Sequence, residues 1–266
     1  MNNAIPILLY HRIDDSGDVH VTAPGEFEQH LQLLHELGWH SLSAAEFAAI
    51  AFRKKSIPPR SFLITFDDGY ESIRTAALAI LKKFSFNAIC FISTNMVKDR
   101  PAAPISVISE RDSDLYLSWP QVCELQASGM VDCQSHSHTH SKFRNFSLAE
   151  IEDDLVTSVD ILSERLRLPR SHFDHLAWPW GLSFPEWRSM AARIGFRLQY
   201  SVARQTYRAG AALDQIPRTC FDSYSFGAFQ RELWLQTGQF SPLWDSMYPY
   251  ARKARRIMKL LRGQHA

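Results

Sequence analysis

Two stretches of the chain carry residue types that can do chemistry together. In ITFDDGY, Ile64 to Tyr70, two carboxylates, Asp67 and Asp68, stand side by side between an apolar run and a glycine. Successive side chains of an extended chain point opposite ways, so one Asp can hold a ligand while the other stays free to move a proton. An isolated Asp-Asp-Gly also reads as a turn or a helix cap, so the pair decides little alone. In SHSHTH, His136 and His140 are four apart with His138 between them. On a helical turn those two imidazoles face one way, the spacing that lets two histidines share a metal. Three histidines in five residues without bulky apolar flanks point to ligands rather than to core residues. Two imidazoles and one carboxylate leave an open face for water and substrate, with the spare carboxylate as base. The expected cofactor is one divalent ion, zinc by preference, although cobalt, nickel and iron suit the same donors.

The elements that must position these residues are legible as alternating runs. IPILLY (5–10), FLITF (62–66), NAICFI (87–92), MVDCQSH (130–136), HLAWP (175–179), FRLQYSV (196–202) and QIPRTC (215–220) read as strands. Helical patterns lie between them, two opened by a Ser-x-x-Glu capping box, Ser43 to Glu46 and Ser147 to Glu150. Strands alternating with helices predict βαβ units and a parallel sheet. About seven units without a Gly/Ser linker or a repeat predict one α/β domain, closer to a barrel than to a doubly wound sheet. The DDG, SHSHTH and AWPWG stretches then fall at strand C-terminal ends, where barrel enzymes carry their chemistry. The longest irregular stretch, 93–118, is a candidate functional loop.

Composition narrows the classes. A formal charge of +1 gives no global argument for nucleic acid, and no stretch approaches the ~20 apolar residues of a membrane span. Four cysteines without a CxxC pair predict reduced thiols rather than a disulfide framework. A short apolar run before His11 with no basic segment ahead of it does not read as an export signal, so a cytoplasmic protein is expected. From Tyr250 to Arg262 six of thirteen residues are basic and none acidic, with Tyr250, Ala254, Ile257, Met258 and Leu261 at helical spacing. This divides the chain into a domain over 1–245 and a basic amphipathic helix over 246–266. Such a helix either lies on an anionic inner-membrane surface through 250–262 or docks its apolar stripe on the domain. No protein partner is legible.

TFDDGY, HSHTH and WPWG, in that order, resemble the first three motifs of the polysaccharide deacetylases, the NodB-homology or carbohydrate esterase family 4 group. With LLYHRI and IPR the similarity covers most of the chain. The resemblance implies a distorted (β/α)7 barrel, Asp68, His136 and His140 as metal ligands, Asp67 as general base, and the Tyr70 N–H as a donor to the oxyanion. Two positions depart from the usual pattern. The place of an Arg two residues before the third motif's Pro is Ala177, and no Leu-x-His follows residue 181. The chain is most similar to the branch typified by poly-N-acetylglucosamine deacetylases, where the acid is a histidine ending the first strand, the place of His11. Arg218 in IPRTC is the candidate guanidinium for Asp67, with Arg12 as rival. Trp178, Pro179 and Trp180 of the third motif are candidate substrate-binding residues, Trp180 foremost, with Tyr116, Trp119 and Trp187 as further aromatic faces.

The expected function is metal-dependent N-deacetylation of an N-acetylhexosamine in a bacterial surface glycan or its lipid-linked precursor, lipopolysaccharide core or exopolysaccharide, with release of acetate. One alternative is a small-molecule amidohydrolase of the same fold, which would show a closed, Arg-lined pocket. The other is a catalytically inactive carbohydrate-binding module, against which an intact Asp67 and a complete ligand triad speak.

Overall fold

Each apolar run marked as a strand contains one. The computed structural model describes residues 4–18, 20–99, 115–238, 241 and 243–248. The main sheet comprises β1 (Ile7–Tyr10), β2 (His40–Ser41), β3 (Ser61–Phe66), β4 (Ala88–Ile92), β5 (Val131–Ser135), β6 (His175–Ala177), β7 (Leu198–Tyr200) and β8 (Thr219–Cys220). Its order is β7-β6-β5-β4-β3-β1-β8, with β2 against the start of β3, and every pairing is parallel. The path curls onto itself. Thr219 and Cys220 pair with Leu8 and Leu9 of β1, while Ile216, three residues earlier, bridges to Tyr200 of β7. The result is a distorted seven-strand barrel with β2 as an accessory.

Around it run α1 (Pro24–Glu36), α2 (Ala44–Ala51), α3 (Leu78–Phe84), α4 (Trp119–Ala127), α5 (Leu148–Leu166), α6 (Pro185–Ile194) and α7 (Phe226–Thr237). Both expected capping boxes form, Ser43 with Glu46 at α2 and Ser147 with Glu150 at α5. At the start of α4 the Ser118 N–H donates to Gln121 Oε1 at 2.7 Å. Each box satisfies backbone donors that a helix start leaves without intrahelical partners.

Apart from the accessory β2, the strands are largely buried on both faces, as a parallel sheet under helices requires. Period two divides them between two cores. Leu8, Tyr10, Phe62, Ile64, Phe66, Cys90 and Ile92 face the helices. Ile7, Leu63, Ile89, Phe91, Ala177, Leu198 and Tyr200 face inward, joined by Phe47 and Ile50 of α2. The inward register along β3, residues 63 and 65, continues to Asp67. That alternation is why one of the two adjacent carboxylates enters the barrel mouth.

Residues 100–114 of the irregular stretch and the basic segment 250–262 lie outside the described residues. A helical run over 243–248 crosses the boundary expected after 245. Asp245 ties it to the domain, its Oδ2 accepting from Thr206 Oγ1 at 2.8 Å and Arg208 Nη2 at 2.7 Å.

Candidate active site

Three neighbouring strands deliver the first group of residues. Asp67 follows β3 and donates its N–H to the Tyr10 carbonyl at the end of β1 (3.0 Å), while the Phe221 N–H after β8 donates to Leu9 (2.9 Å). Arg218, just before β8, is fully buried, and its guanidinium grips Asp67 through two bonds, Nη1 to Oδ1 at 2.6 Å and Nη2 to Oδ2 at 2.8 Å. Nη1 also donates to Thr65 Oγ1 at 3.3 Å, and the guanidinium lies over the rings of Phe91 and Tyr200. Burial would push the Asp67 carboxyl up; the Arg218 charge and, more weakly, His136 hold it below the ordinary 3.8. Arg12, the other candidate, instead engages Asp14 and Asp18.

Asp68 turns the other way because its backbone is left-handed, φ 72°, followed by Gly69 at φ 83°. A side chain on Gly69 would press on Ile92 Cδ1 at 3.1 Å in a conformation that already favours glycine. His136 Nε2 lies 3.3 Å and His140 Nε2 3.1 Å from Asp68 Oδ1. That buried oxygen has no hydrogen-bond partner among the described residues. Burial would push the Asp68 carboxyl up, and the two imidazoles pull it well below the ordinary range.

The two histidines do not sit on a helical turn, contrary to the expectation from their spacing. His136 follows β5, and the chain loops through left-handed Ser137 (φ 69°) and His140 (φ 56°). Side chains build that loop. Asp154 of α5 accepts the N–H of His138 (2.8 Å) and of Thr139 (3.1 Å), and Ser137 Oγ accepts the His140 N–H (3.0 Å). His138 turns away to Thr94, Nδ1 to Oγ1 at 2.8 Å, so it is no part of the triad. His136 Nδ1 donates to the Ala177 carbonyl at 2.7 Å, which leaves the Nε2 lone pair aimed at Asp68. Left-handed non-glycine residues cost energy and persist where surrounding contacts impose them, commonly at functional sites. A buried carboxylate oxygen without a hydrogen bond, facing two imidazole nitrogens, fits a divalent ion with a fourth position open.

His11, after β1, points to a residue that the sequence reading missed. Its Nδ1 lies 2.6 Å from Asp222 Oδ2, and its N–H donates to Asp222 Oδ1 at 3.1 Å. Burial alone would lower the His11 pKa; the bonds to Asp222 and Cys220 and the charges of Asp222 and Asp67 push it up to about 11. An Asp two residues past a late strand is the signal that could have found Asp222.

The third motif divides. Trp180 is 60% exposed, at φ 62°, with its ring 5.3 Å from that of His140 and Lys142 Nζ 4.5 Å from its centre. Its Nε1–H donates to the His140 carbonyl at 3.3 Å. Trp178, expected beside it as a substrate face, is 1% exposed and donates to Gln199 Oε1 at 3.0 Å. Trp178 is a core residue because it directly follows β6 and belongs to the helix-side core. Pro179 is buried too. Trp119 and Trp187 are likewise core, while Tyr116 stacks on Tyr70 at 4.8 Å.

Over 154 residues the chain is 35% identical to the polysaccharide deacetylase-like protein YxkH of Bacillus subtilis (strain 168), covering 58% of this chain and 50% of that one. The match thus spans half of that relative's length. It is 24% identical over 216 residues to the poly-β-1,6-N-acetyl-D-glucosamine N-deacetylase of Staphylococcus epidermidis, covering 78% and 70% of the two chains. The fold matches IcaB from Ammonifex degensii with a TM-score of 0.74 at 22% identity, over 88% of this chain and 97% of that one. It matches the Streptococcus pyogenes deacetylase PplD with a TM-score of 0.73 at 22% identity, over 86% and 97%. The polysaccharide deacetylase family model matches residues 54–199, the segment that carries Asp67, Asp68, His136, His140 and Trp180, and the chain belongs to that family.

Proposed function

We propose that the protein is a metal-dependent N-deacetylase acting on an N-acetylhexosamine of a bacterial surface glycan or its lipid-linked precursor. The observation that carries this reading is the convergence of His136 and His140 on Asp68 Oδ1, their Nε2 atoms 3.3 and 3.1 Å from it, beside a second carboxylate clamped by a buried arginine. A divalent ion held by those three side chains would polarise the acetamide carbonyl and make a bound water more acidic.

The remaining steps belong to the chain's own groups. Asp67, kept ionised by Arg218, takes a proton from the attacking water. The Tyr70 N–H donates to the carbonyl oxygen as it gains charge. His11, kept cationic by Asp222, gives a proton to the departing amine, so that acetate and a free amino sugar leave. Trp180, beside His140, offers an apolar face to the sugar ring.

The name of the Staphylococcus epidermidis relative favours a poly-N-acetylglucosamine substrate. The test is to incubate the purified protein with poly-β-1,6-N-acetylglucosamine, with a lipopolysaccharide core fragment and with a small cyclic amide, and to follow acetate release from the glycans and the gain of one water on ring opening of the amide, both by mass. Metal-dependent acetate release from a glycan is expected. Turnover of the small amide alone would move the assignment to an amidohydrolase.

Among the described residues no helix is long and apolar enough to cross a membrane. A basic helix over 246–266, separate from a domain over 1–245, would hold the enzyme on anionic lipid through 250–262 at about 1 kcal/mol per Lys or Arg. Salt-sensitive co-sedimentation with anionic vesicles, lost on deletion of 250–266, is the expected result; no co-sedimentation of the intact chain at low salt would end this part of the reading.

A further inference from the structure

We propose that His11, His20, Cys220 and Asp222 form a second site for a thiophilic divalent cation such as zinc, and that an ion there inhibits the enzyme by capturing His11. The four side chains come from three separate segments: the end of β1, the loop before Val21–Thr22, and the end of β8. One ligand atom of each lies within 4.8 Å of all the others.

Asp222 Oδ2 is the centre of the group. His11 Nδ1 lies 2.6 Å from it, Cys220 Sγ 3.1 Å and His20 Nδ1 3.5 Å. Metal bonds of ~2.0 to 2.3 Å in a tetrahedron set the donors roughly 3.3 to 3.8 Å apart, so only a small rearrangement converts the cluster into a site. Two imidazoles, a thiol and a carboxylate select zinc or cobalt over magnesium or calcium.

Two further features favour a ligand set over a packed ion pair. His20 holds a left-handed backbone, φ 64°, and its ring centroid lies 5.2 Å from that of His11. Its side chain is 65% exposed, whereas that of Asp222 is 3% exposed, which gives an ion an entry path from solvent to a buried anion. Nothing in the deacetylation mechanism uses His20.

Binding here would displace the Nδ1 proton of His11 and the thiol proton of Cys220, both lost to water, as the ion takes the two lone pairs. The pairing with Asp222 that keeps His11 cationic is then gone, and the amine loses its proton donor. The inhibitory half of the proposal rests on His11 acting as the acid; the site itself does not.

The test is a cobalt(II) titration of the metal-free full-length protein, read by bound metal, by the near-ultraviolet thiolate-to-cobalt charge-transfer band, and by acetate release from the glycan substrate. Two equivalents are expected, the second bringing the band and at least a tenfold loss of turnover. Cys220→Ser should bind the first equivalent without the band. His20→Asn, which tolerates a left-handed backbone, should require at least tenfold more cobalt for the second equivalent and for inhibition. A single equivalent without a band, or a band that survives Cys220→Ser, would overturn the site. A band that forms without loss of turnover would overturn the inhibitory role and leave the reading of Asp67 and Asp68 standing.

Discussion

Arg218 and Asp67, 151 residues apart in the chain, meet inside the barrel mouth through two parallel bonds of 2.6 and 2.8 Å, with Arg218 fully buried. A late-strand arginine thus supplies Asp67 with the guanidinium that Ala177 cannot, because the curled sheet brings the segment before β8 to the inner side of the end of β3. Removing one partner of a buried pair leaves an uncompensated charge, at about 3 to 5 kcal/mol. Arg218→Met is expected to lose that much in chemical denaturation. Asp67→Asn combined with Arg218→Met should recover part of it, whereas additive losses would show that the pair is not coupled.

Asp67→Asn alone separates base from ligand. Asn keeps the size and can still accept from Arg218 but cannot take a proton. Metal content should persist while turnover falls by roughly 10² to 10⁴. Turnover near that of the unmodified enzyme would assign the base to another residue.

His136 and His138 differ sharply in the structure despite their shared motif. His136 faces Asp68, and His138 faces Thr94. His136→Ala should therefore abolish stoichiometric metal binding by calorimetry, because a three-ligand site rarely survives the loss of one. His138→Ala should retain it. Equal metal content in both variants would refute the assignment.

His11 is predicted to matter in proportion to how badly the leaving group needs a proton. His11→Ala should depress hydrolysis of a sugar acetamide at least tenfold more than hydrolysis of an activated aryl acetate. Matching losses on the two substrates would make His11 a structural residue.

His30 predicts acid lability. It is 0% exposed, stacked on Phe229 at 4.1 Å, with Nδ1 3.1 Å from the Tyr10 hydroxyl. Burial lowers its pKa from 6.5 to about 4. Between those values the unfolded chain takes a proton that the folded chain refuses, so stability present above pH 6.5 is lost as pH falls toward 4. The linkage is worth about 3 kcal/mol. Asp67 does not mask this window, since its depressed pKa maintains stability above 3.8 and gives it up only below. Urea midpoints at pH 7 and pH 4.5 should differ clearly, and His30→Gln should narrow the gap; an unchanged gap would place the acid sensitivity elsewhere.

The sequence by itself determined the strands, two helix starts and the motif residues. Local causes suffice for these. Apolar runs of strand length, the hydrogen-bonding reach of Ser43 and Ser147, and the types of Asp67, Asp68, His136 and His140 are all properties of short segments. Arg218 was within reach as well, because a charged residue in an apolar run needs a partner.

Tertiary structure alone decided the rest. Four-residue histidine spacing is compatible with a helix, but Asp154, eighteen residues beyond His136, and the hydroxyl of Ser137 hold the loop in left-handed turns instead. Trp178 and Trp180 are two apart, yet one packs in the core and the other stands exposed, since a backbone reversal at Trp180 lies between those environments. Asp222 carries no motif of its own, and only the parallel pairing of β8 with β1 sets it against His11, 211 residues earlier. Sequence spacing constrains what can meet through the chain, and sheet curvature decides what meets across it.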